Sequence, residues 1–174
     1  AKHLTGQTTM SEIKPNKLQR IVTKCYQLPT SLQAFALSMV FGRVIKFAGT
    51  AGVEVLELKG ARSVLRLKNR KKAQNHIGSV HAAATGLLAE SATGFLVGIH
   101  LPDSKLPLLK QMQIDYIKRS SGDLTAVATL TDEQITAMHS EDKGEVTVAV
   151  SITDSAGIEP VNAKMTWAWI PKKR

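Results

Sequence analysis

The hydrophobic pattern is densest in the middle of the chain. Between His81 and His100, every residue is apolar, small or a hydroxyl, with the single exception of Glu90. A segment of this length that is apolar on all sides is typical of a helix buried over most of its surface. The pattern therefore predicts a central helix over about Val80–Ile99 with one carboxylate inside it.

Two amphipathic patterns precede the central helix. The first begins after Pro15 and ends at Pro29, and the second begins at Thr30 or Ser31, either of which can cap a helix. In both segments, apolar residues recur at the spacing of a helix face that packs on a core. The predicted packing residues are Leu18, Ile21, Val22, Cys25 and Tyr26 in the first helix, and Leu32, Phe35, Ala36, Met39 and Val40 in the second.

Alternation of apolar and polar residues predicts the strands. Val53–Leu58 and Ser63–Lys68 indicate a hairpin, with a bulge where the alternation slips at Val55-Leu56. Four further strands follow the central helix, and we expect them to form an antiparallel meander that a capping box at Thr131–Gln134 interrupts with a short helix. The alternating apolar positions are Met112, Ile114 and Tyr116, then Leu124, Ala126, Ala128 and Leu130, then Val146, Val148, Val150 and Ile152, and finally Val161, Ala163, Met165, Trp167 and Trp169.

The order of these elements predicts an α+β fold. An antiparallel sheet buries one face, so the simplest arrangement wraps one curved sheet around the central helix. One sheet cannot cover a helix that is apolar all round, and a second copy would, which predicts a dimer. We divide the chain into residues 1–14, either disordered or a vector-derived leader, an N-terminal helical extension over residues 15–49, and the main domain over residues 50–174.

The composition of the chain bears on its number of domains, its compartment and its partners. The chain has 174 residues, of which 43% are hydrophobic, and this is enough for one domain with a hydrophobic core. Its net charge of +9 indicates an affinity for anions. Its one cysteine, Cys25, excludes an intramolecular disulfide, and the most apolar N-terminal run, Ala34–Phe41, is too short to span a membrane. We therefore expect a cytoplasmic protein with no membrane partner. Aromatic residues make up only 5% and do not interleave with Lys and Arg, so no nucleic-acid partner is expected.

Glu90 is the first candidate for chemistry. A carboxylate inside an apolar helix is costly to bury unless it finds hydrogen-bond partners, becomes protonated or faces a cavity. Such groups cluster at functional sites. The alternatives are that Glu90 lies on a solvated stripe or pairs with a lysine from elsewhere in the chain. His76 and His81 have no carboxylate or cysteine at ligand spacing, so no metal site is expected.

The residues before the helix carry a family resemblance. Asn75-His76-Ile77-Gly78-Ser79-Val80-His81-Ala82 is similar to the Asn-x-x-Gly-x-x-His-Gly loop of hotdog-fold thioesterases of the phenylacetate-pathway (PaaI-like) type, and Glu90 follows His81 by nine positions, where that family has its acid. The segment Ile114–Leu124 also resembles the family's strand-turn-strand segment. Two residues depart from the pattern, since Ala82 replaces a glycine that many members have, and the acid is Glu where this type has Asp.

The resemblance implies a hotdog fold and an acyl-CoA thioesterase from a little-characterised branch of the superfamily. Glu90 would act as general base or nucleophile, Asn75 would orient the water or the carbonyl or else merely cap the loop, and His81 would fix the loop in preference to acting as a base. The amides near Gly78 and Ala82 would bind the oxyanion.

The resemblance also implies partners. The positive charge suits the phosphates of coenzyme A, for which the candidates are Lys118, Arg119, Arg70 and Lys71, although a solvated basic face would have the same sequence. The protein would be a homodimer or a dimer of dimers with its sites between subunits, so these cations would serve the partner's Glu90. The thioester of coenzyme A or of an acyl carrier would be the substrate, and no cofactor is expected.

Two other functions fit the same fold. A hydratase or dehydratase of this fold would have a proline-rich stretch between its histidine and the acid of the helix, and no proline lies between Asn75 and Leu101. A non-catalytic acyl-CoA or lipid-binding protein would keep the pocket and lose the activity, and the replacement of a glycine by Ala82 leaves this alternative open.

Overall fold

The computed structural model describes residues 13–173. Most of the segment 1–14, which was expected to be disordered or vector-derived, lies outside the described residues. The helices are α1 (Lys17–Tyr26), α2 (Thr30–Val44), α3 (Lys46–Ala51), α4 (Ala82–His100) and α5 (Asp132–Ser140). The strands are β1 (Val53–Lys59), β2 (Arg62–Leu67), β3 (Lys105–Tyr116), β4 (Leu124–Thr129), β5 (Gly144–Asp154) and β6 (Val161–Pro171), and a short 3-10 turn covers Lys71–Ala73.

The six strands form one antiparallel sheet in the order β1-β2-β4-β5-β6-β3. The predicted hairpin is present, with Val53 opposite Leu67, and its register shifts between Val55 and Glu57, which confirms the predicted bulge. The predicted capping box also forms, since Thr131 and Gln134 each accept a hydrogen bond from the other's backbone N–H at the start of α5.

The predicted meander of four strands is wrong in one respect. Strand β3 does not pair with β4 but with β6, where Tyr116 lies opposite Val161, while β4 pairs with β2 through Leu65 and Ala126. Residues 120–123 are therefore a crossing connection and not a hairpin turn. Alternation identifies a strand and its buried face, but it carries no information on which distant strand will lie beside it.

Helix α4 lies against this sheet and contacts all six strands. Twelve of its residues are buried, and the ring of Phe95 packs against that of Phe41 of α2, with centroids 4.5 Å apart and planes tilted by 35°. By length and composition α4 could also cross a membrane, but 67% of the residues in its most apolar 18-residue stretch are buried inside the fold. We therefore assign it to the core, as its pattern predicted.

The buried face of α2 differs from the predicted one. Leu37 and Phe41 are buried, whereas Leu32, Phe35 and Met39 point to solvent. The run Ala34–Phe41 is apolar on nearly all sides, so its period does not determine which side meets the core. On α1, Val22 and Cys25 are buried as expected, and Ile21 is exposed.

Strand β3 forms one edge of the sheet. Its twelve residues pair on one side with β6, and no strand of this chain pairs with its other side among the residues 13–173. Apolar side chains on it are exposed at every second or fourth position, namely at Leu106, Leu108, Met112 and Tyr116. A long exposed apolar edge of this kind is a ready site for pairing with another strand.

Candidate active site

The loop that leads into α4 is held by Asn75. The side-chain oxygen Oδ1 of Asn75 accepts hydrogen bonds from the backbone N–H groups of Ile77 and Ser79, both at 3.1 Å. The Asn75 N–H donates to Ser79 O at 2.8 Å and closes the turn, in which Gly78 has φ +77°. Asn75 therefore shapes the loop through Oδ1, and its amide nitrogen remains beside the cleft described below.

His81 caps the central helix. Its Nδ1 accepts a hydrogen bond from the Ala83 N–H at 3.0 Å, so this nitrogen is unprotonated and a neutral ring carries its proton on Nε2. Its backbone N–H donates to Ala73 O at 2.7 Å, and its carbonyl accepts from Thr85 N at 2.9 Å. These contacts give His81 a positioning role at the helix start.

The two candidate oxyanion amides differ in availability. The Gly78 N–H donates to Asn75 O at 3.1 Å and is thus committed within the loop. The Ala82 N–H is the first amide of α4, has no acceptor among the residues that the structure describes, and belongs to an exposed residue. Because the N-terminus of a helix carries partial positive charge, this amide is suited to bind an anionic oxygen.

A cleft of about 140 Å³ lies beside this amide. We call it the loop cleft. Arg119 closes one side, donating to Ile77 O at 2.8 Å and to Ser79 Oγ at 3.3 Å. The cleft is lined by Asn75, Ile77, Ser79, Val80, Ala82, Thr85, Tyr116, Lys118, Arg119, Ser120, Pro160 and Val161.

Tyr116 is a cleft residue that the sequence did not single out. Its hydroxyl donates to Ala82 O at 2.6 Å, and burial raises the pKa of this hydroxyl. The contact ties the end of β3 to the first residue of α4, which are 34 positions apart. The alternating pattern placed Tyr116 on a strand but gave no sign of this partner.

Glu90 lies in a second cavity, of about 240 Å³, which we call the Glu90 cavity. Its carboxylate has no hydrogen bond or ion pair among residues 13–173, and burial raises the pKa of this carboxyl group. Beside it, Ser91 Oγ is buried without a hydrogen-bond partner. The other lining residues are Leu18, Phe41, Val44, Ile45, Gly94, Phe95, Gly98, Pro107 and Trp167.

Within one chain the two cavities are separate. Ala82 and Glu90 are eight residues apart on α4, which corresponds to about 12 Å along the helix axis. Gly86 lies midway between them, and the side chains of Ile114 and Met112 come within 3.3 Å and 3.6 Å of the position that a Cβ would take there. Side chains of β3 thus occupy the path between the amide and the carboxylate.

The four candidate phosphate-binding residues do not converge. Lys118 and Arg119 line the loop cleft. Arg70 instead contacts Glu54 at 3.3 Å in a cluster that includes Lys68 and Arg66, and Lys71 lies exposed on the 3-10 turn. Among residues 13–173, no three His, Cys, Asp or Glu side chains are grouped to hold a metal ion.

The chain is similar to a known protein family and to several solved structures. The family described as "Domain of unknown function (DUF4442)" matches residues 34–170. A Pseudomonas aeruginosa protein of unknown function, named a probable thioesterase, is 25% identical with a TM-score of 0.70, and the match covers 83% of this chain and 97% of that one. The search of curated proteins found no significant match.

Two further solved structures have the same fold. A thioesterase of Haemophilus influenzae is 14% identical with a TM-score of 0.63, and the match covers 79% of this chain and 90% of that one. A variant of a Staphylococcus aureus thioesterase is 16% identical with a TM-score of 0.61, covering 72% and 99%. The predicted fold, an antiparallel sheet on a central helix, is confirmed. The chain belongs to the DUF4442 family, a little-characterised branch of the hotdog-fold thioesterases.

Proposed function

We propose that this protein hydrolyses acyl-CoA thioesters, with Glu90 as general base or nucleophile. The observation that carries the proposal is the unpartnered Glu90 carboxylate in a cavity with mostly apolar walls, where burial raises its pKa. A carboxylate of raised pKa takes up a proton more readily than an exposed one, which suits a general base. A thioesterase-type fold among the structural neighbours supports the same chemistry.

The reaction can be written through these groups. If Glu90 is the base, it takes a proton from water while the water oxygen attacks the thioester carbonyl. The resulting oxyanion accepts a hydrogen bond from the Ala82 N–H, and collapse of the tetrahedral intermediate breaks the carbon–sulfur bond. The thiolate of coenzyme A then leaves and takes a proton, and the carboxylic acid remains. If Glu90 is the nucleophile, water hydrolyses an anhydride in the second step.

The proposal includes a second subunit. The amide and the carboxylate of one chain lie in different cavities, about 12 Å apart along α4, so they cannot both contact one thioester group. The exposed edge of β3 supports a homodimer in which two such edges pair, since an antiparallel pair of edges satisfies both rows of backbone groups. We propose that the Ala82 amide of one chain faces the partner's Glu90, and that dimers can associate further.

The walls of the two cavities suit the two ends of the substrate. The Glu90 cavity is bounded by aliphatic and aromatic side chains that favour an acyl chain. Lys118 and Arg119 at the loop cleft suit the phosphates of coenzyme A, and Arg119 uses only two of its N–H groups within the loop. Arg70 and Lys71 would contribute only through the field around the cleft.

The test measures thiol release from a panel of short, long and aromatic acyl-CoAs. We expect turnover by the wild type and a loss of at least about a hundredfold in Glu90→Gln, the scale for removing a general base. Glu159→Gln, at an exposed carboxylate in the turn before β6, is the matched control and should retain full activity.

A second variant removes only the proposed oxyanion donor. Proline is favoured at the first position of a helix, and His81 already has the extended conformation that a following proline requires, with φ −61° and ψ 143°. Ala82→Pro should therefore keep the fold and lower kcat by roughly 10²- to 10³-fold. Ala82→Gly keeps the N–H and should remain active.

The same panel separates the alternatives. Binding of acyl-CoA without turnover would overturn the hydrolase and favour a non-catalytic acyl-CoA or lipid-binding protein. Hydration of an enoyl-CoA without thiol release would favour the hydratase. Equal turnover by the wild type and Glu90→Gln would exclude Glu90 from the chemistry.

A further inference from the structure

The first described part of the chain carries positive charge only. Residues 13–53 contain no Asp, no Glu and no His, although the whole chain has 14 acidic residues. We call these residues the acid-free segment; it covers α1, α2 and α3. Its cations are Lys14, Lys17, Arg20, Lys24, Arg43 and Lys46.

The same segment exposes a row of large apolar side chains. Leu28 lies in the turn before α2, and Leu32, Phe35 and Met39 follow at intervals of three and four residues, which places these three on one face of the helix. The four side chains are 41%, 48%, 66% and 39% exposed. We call this row the apolar stripe. An isolated exposed leucine is ordinary, but a continuous apolar row on a solvent-facing helix marks an interaction surface.

The cations around the stripe are not neutralised by neighbours. Within residues 13–173, Lys24, Arg43 and Lys46 form no ion pair. Two acids beside the segment are already engaged, Asp103 with Arg20 at 4.0 Å and Glu54 with three cations that follow it in the chain. In the part of the chain that the structure describes, Glu90, which lines a cavity with Val44 and Ile45, forms no ion pair with the cations of the segment. The surface therefore combines an apolar row with uncompensated positive charge.

We propose that the apolar stripe docks this protein on an anionic lipid surface. Helices that lie in a membrane interface have a hydrophobic face and Lys or Arg beside it, and their binding combines burial of the apolar face with attraction to anionic head groups. Arg43 continues the helical positions of the stripe beyond Met39, and Lys46 begins the next helix, α3, so both cations lie close in the chain to the end of the apolar row, where they would meet the phosphates. This mode requires no membrane-spanning helix.

Other occupants fit the surface less well. A second copy seated symmetrically on the stripe would bring the same cations face to face, without an acid in residues 13–53 of either chain to offset them. A nucleic acid would meet the cations but would leave the leucines and the methionine uncovered, because its backbone offers them no apolar partner. An anionic lipid layer complements both the charge and the apolar row.

Helix α2, which carries the apolar stripe, also borders the Glu90 cavity. Val44 and Ile45 at the end of α2 are exposed, and both also line the Glu90 cavity. By helical spacing, Val44 lies on the side of α2 away from Phe35, so the docked face and the wall of that cavity are two sides of one helix. The proposal goes beyond the proposed hydrolysis and does not depend on it, because lipid binding is measured without turnover.

The test is co-sedimentation of the full chain with lipid vesicles. We expect binding to mixed phosphatidylcholine–phosphatidylglycerol vesicles, little binding to pure phosphatidylcholine, and a decrease as salt rises. The double variant Leu32→Ser/Phe35→Ser should bind the mixed vesicles at least about tenfold more weakly. The matched control is Ile158→Ser, which removes an apolar side chain of comparable exposure, 41%, from the turn before β6.

A second pair of variants tests how much the positive charges beside the apolar stripe contribute to vesicle binding. Arg43→Gln/Lys46→Gln should weaken binding to the mixed vesicles, whereas Lys143→Gln/Lys164→Gln, which removes the same charge from exposed positions elsewhere, should weaken it less. Absence of binding to anionic vesicles, or binding unaffected by the stripe variant, would overturn the proposal. A stripe variant that lowers the molar mass in sedimentation but leaves vesicle binding unchanged would assign the stripe to a second copy instead.

Discussion

At the residue scale, Gly94 lies where α4 and β6 pack so closely that there is no room for a side chain. A Cβ at this position would lie 2.5 Å from Cζ2 of Trp167, whose Nε1 donates to Thr93 Oγ1 at 2.9 Å. The indole is buried and rigid, so it cannot move aside as the end of a flexible side chain would. The close approach of β6 to α4 therefore requires glycine here.

We predict opposite effects for two glycine substitutions on α4. Gly94→Ala should destabilise the protein by about 1–3 kcal/mol, the usual cost of overpacking a core. Gly98→Ala would place its Cβ 3.4 Å from Leu18 Cδ2, an ordinary contact, so the gain in helix propensity should leave it neutral or up to about 1 kcal/mol more stable.

Urea denaturation of both variants measures the difference. Equal midpoints for Gly94→Ala and the wild type would mean that the indole has room to move, and the argument from the close approach would fail.

Residue patterns predicted the parts of the site that lie within one segment and missed the contacts between segments that are far apart in the chain. The central helix follows from composition within a single segment, as does the presence of one carboxylate in it, whereas the half-buried and unpaired state of Glu90 is known only from the structure. The contacts of Tyr116 with Ala82 and of Arg119 with Ile77 join residues 34 and 42 positions apart. No local pattern contains such partners, because they depend on which strand end the fold brings to the loop.

At the scale of elements, the C-terminal ends of α4 and α5 lie close together, and each carries a histidine, His100 on α4 and His139 on α5. His100 Nε2 donates to Gly60 O at 2.7 Å, and His139 Nε2 is buried without a partner. Burial lowers the pKa of both rings, and for His139 the positive charges of Lys105 and His100 lower it further. The C-terminus of a helix normally favours a charged histidine, but burial and the Lys105 ammonium outweigh that effect here.

We predict that acid destabilises the fold through these rings. A histidine with a lowered pKa binds fewer protons folded than unfolded, so its contribution is complete above about pH 6.5 and is lost as the pH falls through the lower, folded pKa. His139→Gln removes one such site. The stability of this variant relative to the wild type should rise between pH 7 and pH 5, by at most about 1.4 kcal/mol per pH unit.

Chemical denaturation across this pH range tests the prediction, with His76→Gln in the exposed loop as the control. A constant difference between His139→Gln and the wild type would show that His139 does not contribute to the acid response.

Local features with a short signature were predictable, whereas the full length of β3, the helix α3 and the pairing of distant strands were not. The capping box at Thr131 and the bulge in β1 each have a signature of a few residues, and both formed as predicted. The pairing of β3 with β6 and the exposed face of α2 did not follow from the sequence, because both depend on how segments far apart in the chain compete for the same buried surface.

At the scale of the whole molecule, the proposed site between subunits predicts complementation. Glu90→Gln and Ala82→Pro should each be nearly inactive as homodimers. If the two are mixed and the subunits exchange, half of the dimers are mixed and one of their two sites combines a normal amide with a normal carboxylate. The mixture should reach about a quarter of wild-type activity.

Native mass spectrometry would confirm the exchange of subunits, and a mixture of Glu90→Gln with the variant that carries both substitutions is the control, since none of its dimers has a normal carboxylate. Mixed dimers without recovered activity would place the whole site within one chain.

Because residues 13–53 contain no Asp, Glu or His, this segment has few side chains that gain or lose a proton as the pH changes. Apart from lysine and arginine, the ionisable side chains of this segment are Cys25 and Tyr26, and burial raises the pKa of both further above neutrality. Lysine and arginine keep their charge throughout the physiological range. The extension therefore keeps a constant positive charge while the carboxylates and histidines of the remaining domain respond to acid, and its attraction for anions does not change with the pH of the compartment.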